Sequence, residues 1–327
     1  MDMQTASEYT PANDGKPLKD KIALVAGATR GAGRGIAVEL GAAGATVYCT
    51  GRSTRRDGAS DVGRTEVIED TAAAVTAAGG TGVWQRVDHS DPGQVDELIK
   101  RIDAEHGRLD IVIDDIGGEH LHVGHWDQPI WEHDLDAGLK IIRGMIETHL
   151  ITSHFALQLV QRHAGGLHVE LTDGHDAYND DHYRISAFFD LAKTGLNRLA
   201  YAIGHELAPQ GGTALAVTPG WLRSEAMLDT FGVTEEDWLQ KAQASTGKEG
   251  GPPPDFVVSE SPRFVGRGIA AVAADPDRAR WNQRSVTSYD LAEHYDLTDL
   301  DGSRPNAWAF ITEIVEQHKP IDVTGYR

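Results

Sequence analysis

Residues 21–40, KIALVAGATRGAGRGIAVEL, join a short apolar run to a glycine-rich turn and then to a series of helix formers. The turn contains three glycines, Gly27, Gly31 and Gly33. Glycine lets the backbone turn sharply and approach a pyrophosphate, whose charge is favoured at a helix N-terminus. Because this turn follows the first apolar run, the pattern predicts a dinucleotide site rather than an ordinary tight turn between strand and helix.

Six further apolar runs alternate with helix-patterned stretches: ATVYCTG, GVWQRVD, LDIVIDD, GLHVELTD, TALAVTPG and RSVTSYD. This alternation predicts an α/β fold, a Rossmann-like, doubly wound parallel sheet of seven strands with helices on both faces. After Asp91, four apolar residues recur at helical spacing: Val95, Leu98, Ile99 and Ile102. The longer stretch 131–162 predicts more than one helix.

We expect one domain over residues 20–300, preceded by a polar leader at 1–19 and followed by a helix and tail at 301–327. An insertion at about 225–260 separates the sixth and seventh strands. It contains a helix near Thr234, with Asp237 as a capping partner, and the segment STGKEGGPPPD at 245–255. The glycines and three consecutive prolines of that segment predict a mobile loop beside a site.

Composition argues against several partners. The 50 acidic and 30 basic residues give a formal net charge of −20, which repels nucleic acids and anionic lipid surfaces. The only cysteine, Cys49, lies in an apolar run, so we expect a buried strand residue and a reducing compartment. The sequence shows neither a signal peptide nor an apolar run long enough to span a bilayer, which predicts a cytoplasmic location.

The end of the second strand carries the evidence on cofactor type. Thr50-Gly51-Arg52-Ser53 offers no acidic residue for an adenosine 2′-hydroxyl. Arg52 and Arg30 could instead pair with a 2′-phosphate, which predicts NADP(H) rather than NAD. The alternative interpretation is two solvated arginines on surface loops.

These motifs, in this order, resemble the short-chain dehydrogenase/reductase family from about Lys21 to Leu291, and in particular a bacterial subgroup with a TDG turn and an extended substrate loop. The resemblance implies dimers or tetramers, and a turn after the fourth strand that is here changed to Asp114-Asp115-Ile116-Gly117. It also implies cofactor contacts at Gly27, Thr29, Arg30, Gly31, Gly33, Arg52, Ser53, Asp88, His89, Gly117, Lys193, Pro219, Gly220, Leu222 and Ser224.

In the family, a tyrosine four residues before a lysine protonates the substrate carbonyl oxygen as hydride arrives, and the lysine lowers the tyrosine pKa and binds the cofactor ribose. Lys193 matches the lysine, but Phe189 stands at the tyrosine position. Phe189 is interpreted as either a natural pocket wall or an engineered removal of the hydroxyl.

The other catalytic positions are also altered. Thr172 or Asp173 is the nearest match to the family's serine, and His149 stands where an asparagine supports a proton-relay water. His149 is interpreted either as a relay or as a core histidine. Tyr183 is the best candidate for a replacement proton donor among the residues before the helix, with an ordinary loop aromatic as the alternative; Tyr178 and His182 lie on the same stretch.

The residues after the fourth strand include several possible metal ligands: Glu119, His120, His122 and His125. Their spacing matches no tight metal motif, so we expect no metal site and place these side chains at the pocket entrance. Four apolar residues are candidates for the lining of a pocket for a bulky substrate: Trp126, Trp131, Trp221 and Met227.

Three functions remain open on the sequence. The first is an NADP(H)-dependent oxidoreductase that acts on a ketone or alcohol, slowed or inactivated by Phe189. The second is a non-redox enzyme on the same scaffold, such as a cyclase or isomerase, and the third is a cofactor-binding regulator without turnover.

Overall fold

The computed structural model describes residues 15–59, 63–117, 128–245 and 252–327. Within them, seven parallel strands form one sheet in the order β3-β2-β1-β4-β5-β6-β7. The predicted α/β fold and all seven predicted strands are confirmed. The strands are β1 Ile22–Ala26, β2 Thr46–Gly51, β3 Thr81–Arg86, β4 Ile111–Asp114, β5 Leu167–Leu171, β6 Thr213–Thr218 and β7 Ser285–Thr287.

Helices connect the strands. In the described residues they are α1 Gly31–Ala42, α2 Ile68–Ala77, α3 Pro92–His106, α4 Leu135–Ile142, α5 Thr148–Val160, α6 Asp176–Asn179, α7 Ala187–Leu207, α8 Glu225–Phe231, α9 Trp238–Ser245, α10 Pro262–Ala274, α11 Ser288–His294 and α12 Ala307–Phe310. A π-helical turn, Arg143–Glu147, joins α4 to α5, so the predicted second helix in 131–162 is present.

The sheet is buried on both faces because its central strands are continuous apolar runs. Ala23 and Val25 of β1 face a core formed with α1, α2 and α10. Ile22 and Leu24 face the opposite core, formed with α3 and α5. The chain order reverses where β1 lies between β2 and β4, and such a switch point opens a crevice at the carboxyl ends of the strands.

Helix α3 shows how local sequence fixes an element. Asp91 caps its N-terminus by accepting hydrogen bonds from the N–H groups of Gly93 and Gln94. Gly107 ends it in the left-handed conformation, with φ of 67°. The predicted apolar face of α3, at residues 95, 98, 99 and 102, is buried.

The insertion between β6 and β7 packs as a separate apolar cluster with α12. Trp238 of α9 lies against Phe256, which belongs to a short 3₁₀ turn, Pro254–Val258. The predicted cap is present in part, since the N–H of Thr234 donates to Asp237 Oδ1 at 2.8 Å. Most of the predicted loop, residues 246–251, lies outside the described residues.

Three further expectations can be compared with the structure. Leu18 is 1% exposed and its N–H donates to Ala43 O at 2.8 Å, so the packed chain begins before the predicted leader boundary at residue 19. Apolar contact with the core outweighs the polar composition of its neighbours. Cys49 is buried, as expected. No helix in the described part of the chain is long and apolar enough to cross a membrane.

Candidate active site

The glycine-rich turn lies at the carboxyl end of β1, against the turn that follows β4. Gly27 has φ of 85°, and a Cβ there would lie 2.1 Å from the carbonyl oxygen of Asp115. A Cβ on Gly33 would lie 2.6 Å from Gly27 O, and the Gly33 N–H donates to Asp115 Oδ2 at 2.5 Å. The two glycines are therefore required by close backbone approach at the start of α1.

Arginines gather beside this turn. Arg30 Nε lies 3.5 Å from Glu66, and this nitrogen is buried without a hydrogen-bond partner among the described residues. Burial lowers the pKa of Arg30, and the nearby charges of Arg64 and Arg52 lower it further. Arg64 pairs with Glu66 at 2.6 Å and with Asp229 at 2.7 Å. Three guanidinium groups, of Arg30, Arg52 and Arg64, therefore lie near one another beside the turn, together with the carboxylates of Glu66 and Asp229.

The predicted contacts after β3 lie near the same edge. Asp88 accepts hydrogen bonds from the backbone and hydroxyl of Ser90; burial alone would raise its pKa, but these bonds outweigh burial and lower it. His89 is buried, with a ring nitrogen 2.8 Å from the hydroxyl of Thr50 and the other 2.8 Å from that of Thr152. Burial, followed by repulsion from His149, lowers the pKa of His89 to about 3, so it is neutral.

Two predicted residues pack beside Gly51 at the end of β2. A Cβ on Gly51 would lie 2.2 Å from Thr29 Oγ1, so the threonine hydroxyl lies directly against the strand end. Ser53 is buried, and its carbonyl accepts from the N–H of Ile68 at the start of α2. Gly117 is exposed at the end of the second described segment.

The segment after β6 lies against the glycine-rich turn. Ser224 caps α8, and its Cβ would lie 3.9 Å from a Cβ built on Gly31. Glu225 reaches further and accepts from the Gly31 N–H at 2.9 Å. The Gly220 N–H donates to Glu260 Oε2, and Leu222 forms a bridge with Glu260. The structure thus brings the predicted proline-glycine turn, which begins at Pro219, next to the predicted phosphate turn.

Lys193 and Phe189 share one face of α7, as their spacing predicts. Lys193 Nζ lies 5.4 Å from the centre of the Phe189 ring. Phe189 is 5% exposed and packs against Ile141 and Met145. The Thr172 hydroxyl donates to the backbone carbonyl of Lys193 at 2.7 Å. The end of β5 therefore meets the middle of the expected catalytic helix, and the Phe189 ring lies one turn before Lys193 on that helix.

Asp173 is held by an arginine on the segment that leads into α7. Arg184 donates to Asp173 Oδ1 at 2.7 Å, and its guanidinium lies 5.4 Å from the ring centres of both Tyr178 and Trp308. Tyr178 donates its hydroxyl to Glu316, and burial with this bond raises its pKa to about 12. The predicted replacement donor Tyr183 is 64% exposed.

A buried polar network lies beneath the site. His149, His168, Glu170 and Asp114 are all fully buried, on α5, β5 and the end of β4. His149 lies 2.5 Å from Glu170 Oε2 and 2.9 Å from the carbonyl oxygen of Ile116. His168 Nε2 lies 2.8 Å from Glu170 Oε1. Ligand-type atoms of Asp114, His168 and Glu170 lie within 4.8 Å of one another, but hydrogen bonds already occupy both oxygens of Glu170.

Comparisons with known proteins agree with this arrangement. Residues 27–252 match a family model described as enoyl-(acyl carrier protein) reductase. Dehydrogenase/reductase SDR family member 1 of Mus musculus is 29% identical over 290 residues, which cover 88% of this chain and 85% of the mouse protein. The chain belongs to the short-chain dehydrogenase/reductase family. It is therefore assigned to a family of oxidoreductases that bind nicotinamide cofactors.

Solved structures of this family share the fold. A short chain dehydrogenase from Mycobacterium thermoresistibile has a TM-score of 0.66 at 18% identity, over 86% of this chain and 90% of its own. A short chain dehydrogenase from Shigella flexneri, solved in complex with NADP, has a TM-score of 0.64 at 15% identity, over 84% of this chain and 99% of its own.

Several residues of this short-chain dehydrogenase/reductase site were missed in the sequence. Arg64, Arg184 and Glu225 meet their partners through contacts between distant segments. His168 and Glu170 had a usable signal, because two polar side chains at i and i+2 in an otherwise apolar strand indicate a buried network.

The structure describes three of the four residues that were predicted to line a substrate pocket. Trp221 and Met227 lie partly buried in the cluster around Phe256. Trp131, just before α4, is instead 81% exposed and lies outside this cluster, so its place in a pocket lining stays a prediction. Trp126 and the residues with possible ligands, Glu119, His120, His122 and His125, lie outside the described residues.

Proposed function

We propose that the protein is an NADP(H)-dependent oxidoreductase that interconverts a carbonyl and an alcohol on a bulky apolar substrate, slowed by Phe189. The observation that carries the proposal is Lys193 at the meeting point of β5 and α7, with an anion site formed by Arg30, Arg52 and Arg64 at the glycine-rich turn. The cofactor, when bound, supplies the hydride.

The residues present fit such a cofactor. Close backbone packing requires glycine at positions 27 and 33, whereas a Cβ on Gly31 would meet, among the described residues, only the Ser224 Cβ, 3.9 Å away. The backbone at Gly31 is therefore open enough for a pyrophosphate to approach. The guanidinium of Arg30, whose Nε has no hydrogen-bond partner among the described residues, offers donors to a 2′-phosphate, and no acidic residue ends β2. The NADP complex of the Shigella flexneri relative supports the same choice.

The chain's own residues account for a slow reaction. Lys193 would bind the cofactor ribose and place a positive charge near the reacting oxygen. Phe189 has no proton to give, and Thr172 has committed its hydroxyl to the Lys193 carbonyl. Losing a positioned general acid costs about two to four orders of magnitude, so turnover is reduced rather than abolished if the substrate is held well.

The substrate class follows from the apolar insertion. Trp221, Met227 and Phe231 are partly buried around Phe256, between the proline-glycine turn and α12. A substrate that binds against such side chains would be a bulky apolar ketone or alcohol. We extend the proposal to a cytoplasmic homodimer or homotetramer, supported by exposed apolar residues on α5 and α7: Leu150, Leu191 and Tyr201.

One observation favours a second function. The Phe189 ring is packed among Ile141, Met145 and Leu196, as a stable wall would be. The alternative is therefore a non-redox enzyme, such as a cyclase or isomerase, or a regulator that binds NADP(H) without turnover.

The test is to restore the hydroxyl by Phe189→Tyr and to compare NADPH oxidation by both proteins across a panel of ketones and quinones. Turnover that is confined to the Tyr variant, or greatly increased in it, supports a reductase limited by Phe189. If neither protein turns over although both bind NADPH, the oxidoreductase proposal is abandoned in favour of the alternative.

A further inference from the structure

The buried network holds its ionisable groups away from solvent. Three structural elements supply it: α5 gives His149, β5 gives His168 and Glu170, and the end of β4 gives Asp114. Each of these four side chains is fully buried. Burial is costly for any charge without a partner, so the positions of the protons are set by the contacts within the network.

Both ring nitrogens of His149 face acceptors. Nε2 lies 2.9 Å from the carbonyl oxygen of Ile116, which can only accept, so Nε2 carries a proton. Nδ1 lies 2.5 Å from Glu170 Oε2, and this second contact also needs a proton. The proton belongs either to His149, as an ion pair, or to Glu170, as a neutral pair.

The surroundings of Glu170 favour the ion pair. Its other oxygen, Oε1, is 2.8 Å from His168 Nε2, so two imidazole rings face one carboxylate. Burial alone would raise the pKa of Glu170, but the charge of His149 and these hydrogen bonds lower it to about 2. Burial alone would lower the pKa of His149, but Glu170, and Asp114 beyond it, outweigh burial and raise it to about 9.

We propose that His149 is an imidazolium, charged at neutral pH, that holds the Ile116 carbonyl as a clamp, and that Glu170 is the positioning residue that keeps its second proton in place. His149 then takes no part in proton relay, because both nitrogens are committed and the ring is fully buried.

Three further ionisable groups surround this ion pair. Asp114 accepts from the Ser153 hydroxyl at 3.3 Å and faces the like charge of Glu170; burial, followed by this repulsion, raises its pKa to about 7. His89, beyond β3, is neutral and adds no charge. His168 has no partner for Nδ1 among the described residues; burial alone would lower its pKa, but Glu170 and Asp114 outweigh burial and raise it.

The clamp acts on the cofactor turn through a short chain of contacts. Ile116 follows Asp115, whose carboxylate accepts a hydrogen bond from the Gly33 N–H. The carbonyl oxygen of Asp115 lies so close to Gly27 that no Cβ fits there. A displaced Ile116 would therefore move the wall against which the glycine-rich turn packs. A charge-assisted bond is stronger than a neutral one, which suits a clamp at this position.

The first experiment needs no variant and no substrate. Protein labelled with ¹⁵N at histidine is titrated from pH 5.5 to 7.5, and His149 is assigned from the contacts of its ring with Ile116. We expect both ring nitrogens of His149 to carry protons over the whole range. One unprotonated ring nitrogen, or a titration within this range, would overturn the proposal. The proposal would also be overturned if the purified protein held one equivalent of metal and if removing that metal changed the ¹⁵N signals of His149.

A variant series tests the positioning role and rests on the proposed cofactor. Glu170→Gln keeps the shape and removes the charge; we expect NADPH affinity to fall about tenfold, the loss of one hydrogen bond to a charged group, and to become dependent on pH between 6 and 8 as His149 titrates. The double variant His149→Asn/Glu170→Gln replaces the ion pair by two amides. We expect it to restore the NADPH affinity and to remove the dependence of that affinity on pH.

The matched control is His154→Asn, on the exposed face of the same helix, which should change nothing. If Glu170→Gln lost NADPH affinity equally at every pH, Glu170 would have only a structural role, and the positioning proposal would be overturned. If the variants do not fold, the ¹⁵N titration of the unaltered protein still decides the charge of His149. If no protein in the series binds NADPH, the proposed cofactor fails independently of the clamp.

Discussion

The carboxylate of Glu225 accepts a hydrogen bond from the backbone N–H of Gly31 at 2.9 Å. One turn further along α8, Asp229 pairs with Arg64 at 2.7 Å. Both partners are groups that the proposed cofactor would use for its phosphates. Two carboxylates of one helix therefore compete with the cofactor for its anion sites.

Glu225→Gln is expected to strengthen NADPH binding about three- to tenfold at low salt, because a negative charge beside the pyrophosphate position is removed. Fluorescence titration of NADPH measures this. Glu293→Gln, at an exposed position on α11, is the control and should leave binding unchanged. Weaker binding in Glu225→Gln would show that its carboxylate supports the turn instead.

Arg64→Met tests the choice of NADP over NAD. We expect NADPH affinity to fall about tenfold, as for one lost hydrogen bond to a charged group, while NADH affinity stays the same. The highly exposed Arg56 provides the control, Arg56→Met. An equal loss for both cofactors would remove Arg64 from the 2′-phosphate site.

Arg223→Leu tests the base of the insertion. Arg223 is fully buried, pairs with the buried Asp299 at 3.2 Å and lies 4.0 Å from the centre of the Trp238 ring. Removing it leaves a buried carboxylate without its cation, and we expect the free energy of unfolding to drop by about 3–5 kcal/mol in urea titration. Arg162→Leu, on the surface, should cost less than about 1 kcal/mol. Similar losses in both variants would contradict the account.

Glu260 predicts a pH dependence of stability. Burial raises its pKa to about 8, above the ordinary value of 4.5. Because the folded state holds the proton more tightly, its stabilising contribution is complete below pH 4.5 and is lost as pH rises through 8, by an amount on the order of several kcal/mol. Glu260→Gln mimics the protonated form and should flatten this part of the stability profile. An unchanged profile in that variant would assign the dependence to other groups.

The sequence was sufficient where structure depends on local pattern. Gly27 and Gly33 were predicted because a sharp turn between strand and helix needs glycine, and the buried face of α3 was predicted because its apolar spacing is helical. Lys193 and Phe189 were placed on one face by their four-residue separation.

The same sequence could not supply contacts that depend on how distant segments meet. Glu225 reaches Gly31 across 194 residues, and Arg64 reaches Asp229 across 165. No local rule distinguishes these from solvated surface charges. The state of His149 was likewise open, because it depends on Glu170 and Ile116 from two other elements.

The most direct test of the central claim is a single-turnover measurement of NADPH oxidation with the best substrate of the panel. It compares the protein as it stands, Phe189→Tyr, and Phe189→Tyr/Lys193→Met. The account predicts that Phe189→Tyr raises the rate by about two to four orders of magnitude and that removing Lys193 cancels the gain. Equal rates in the first two proteins, with NADPH bound in both, would contradict it.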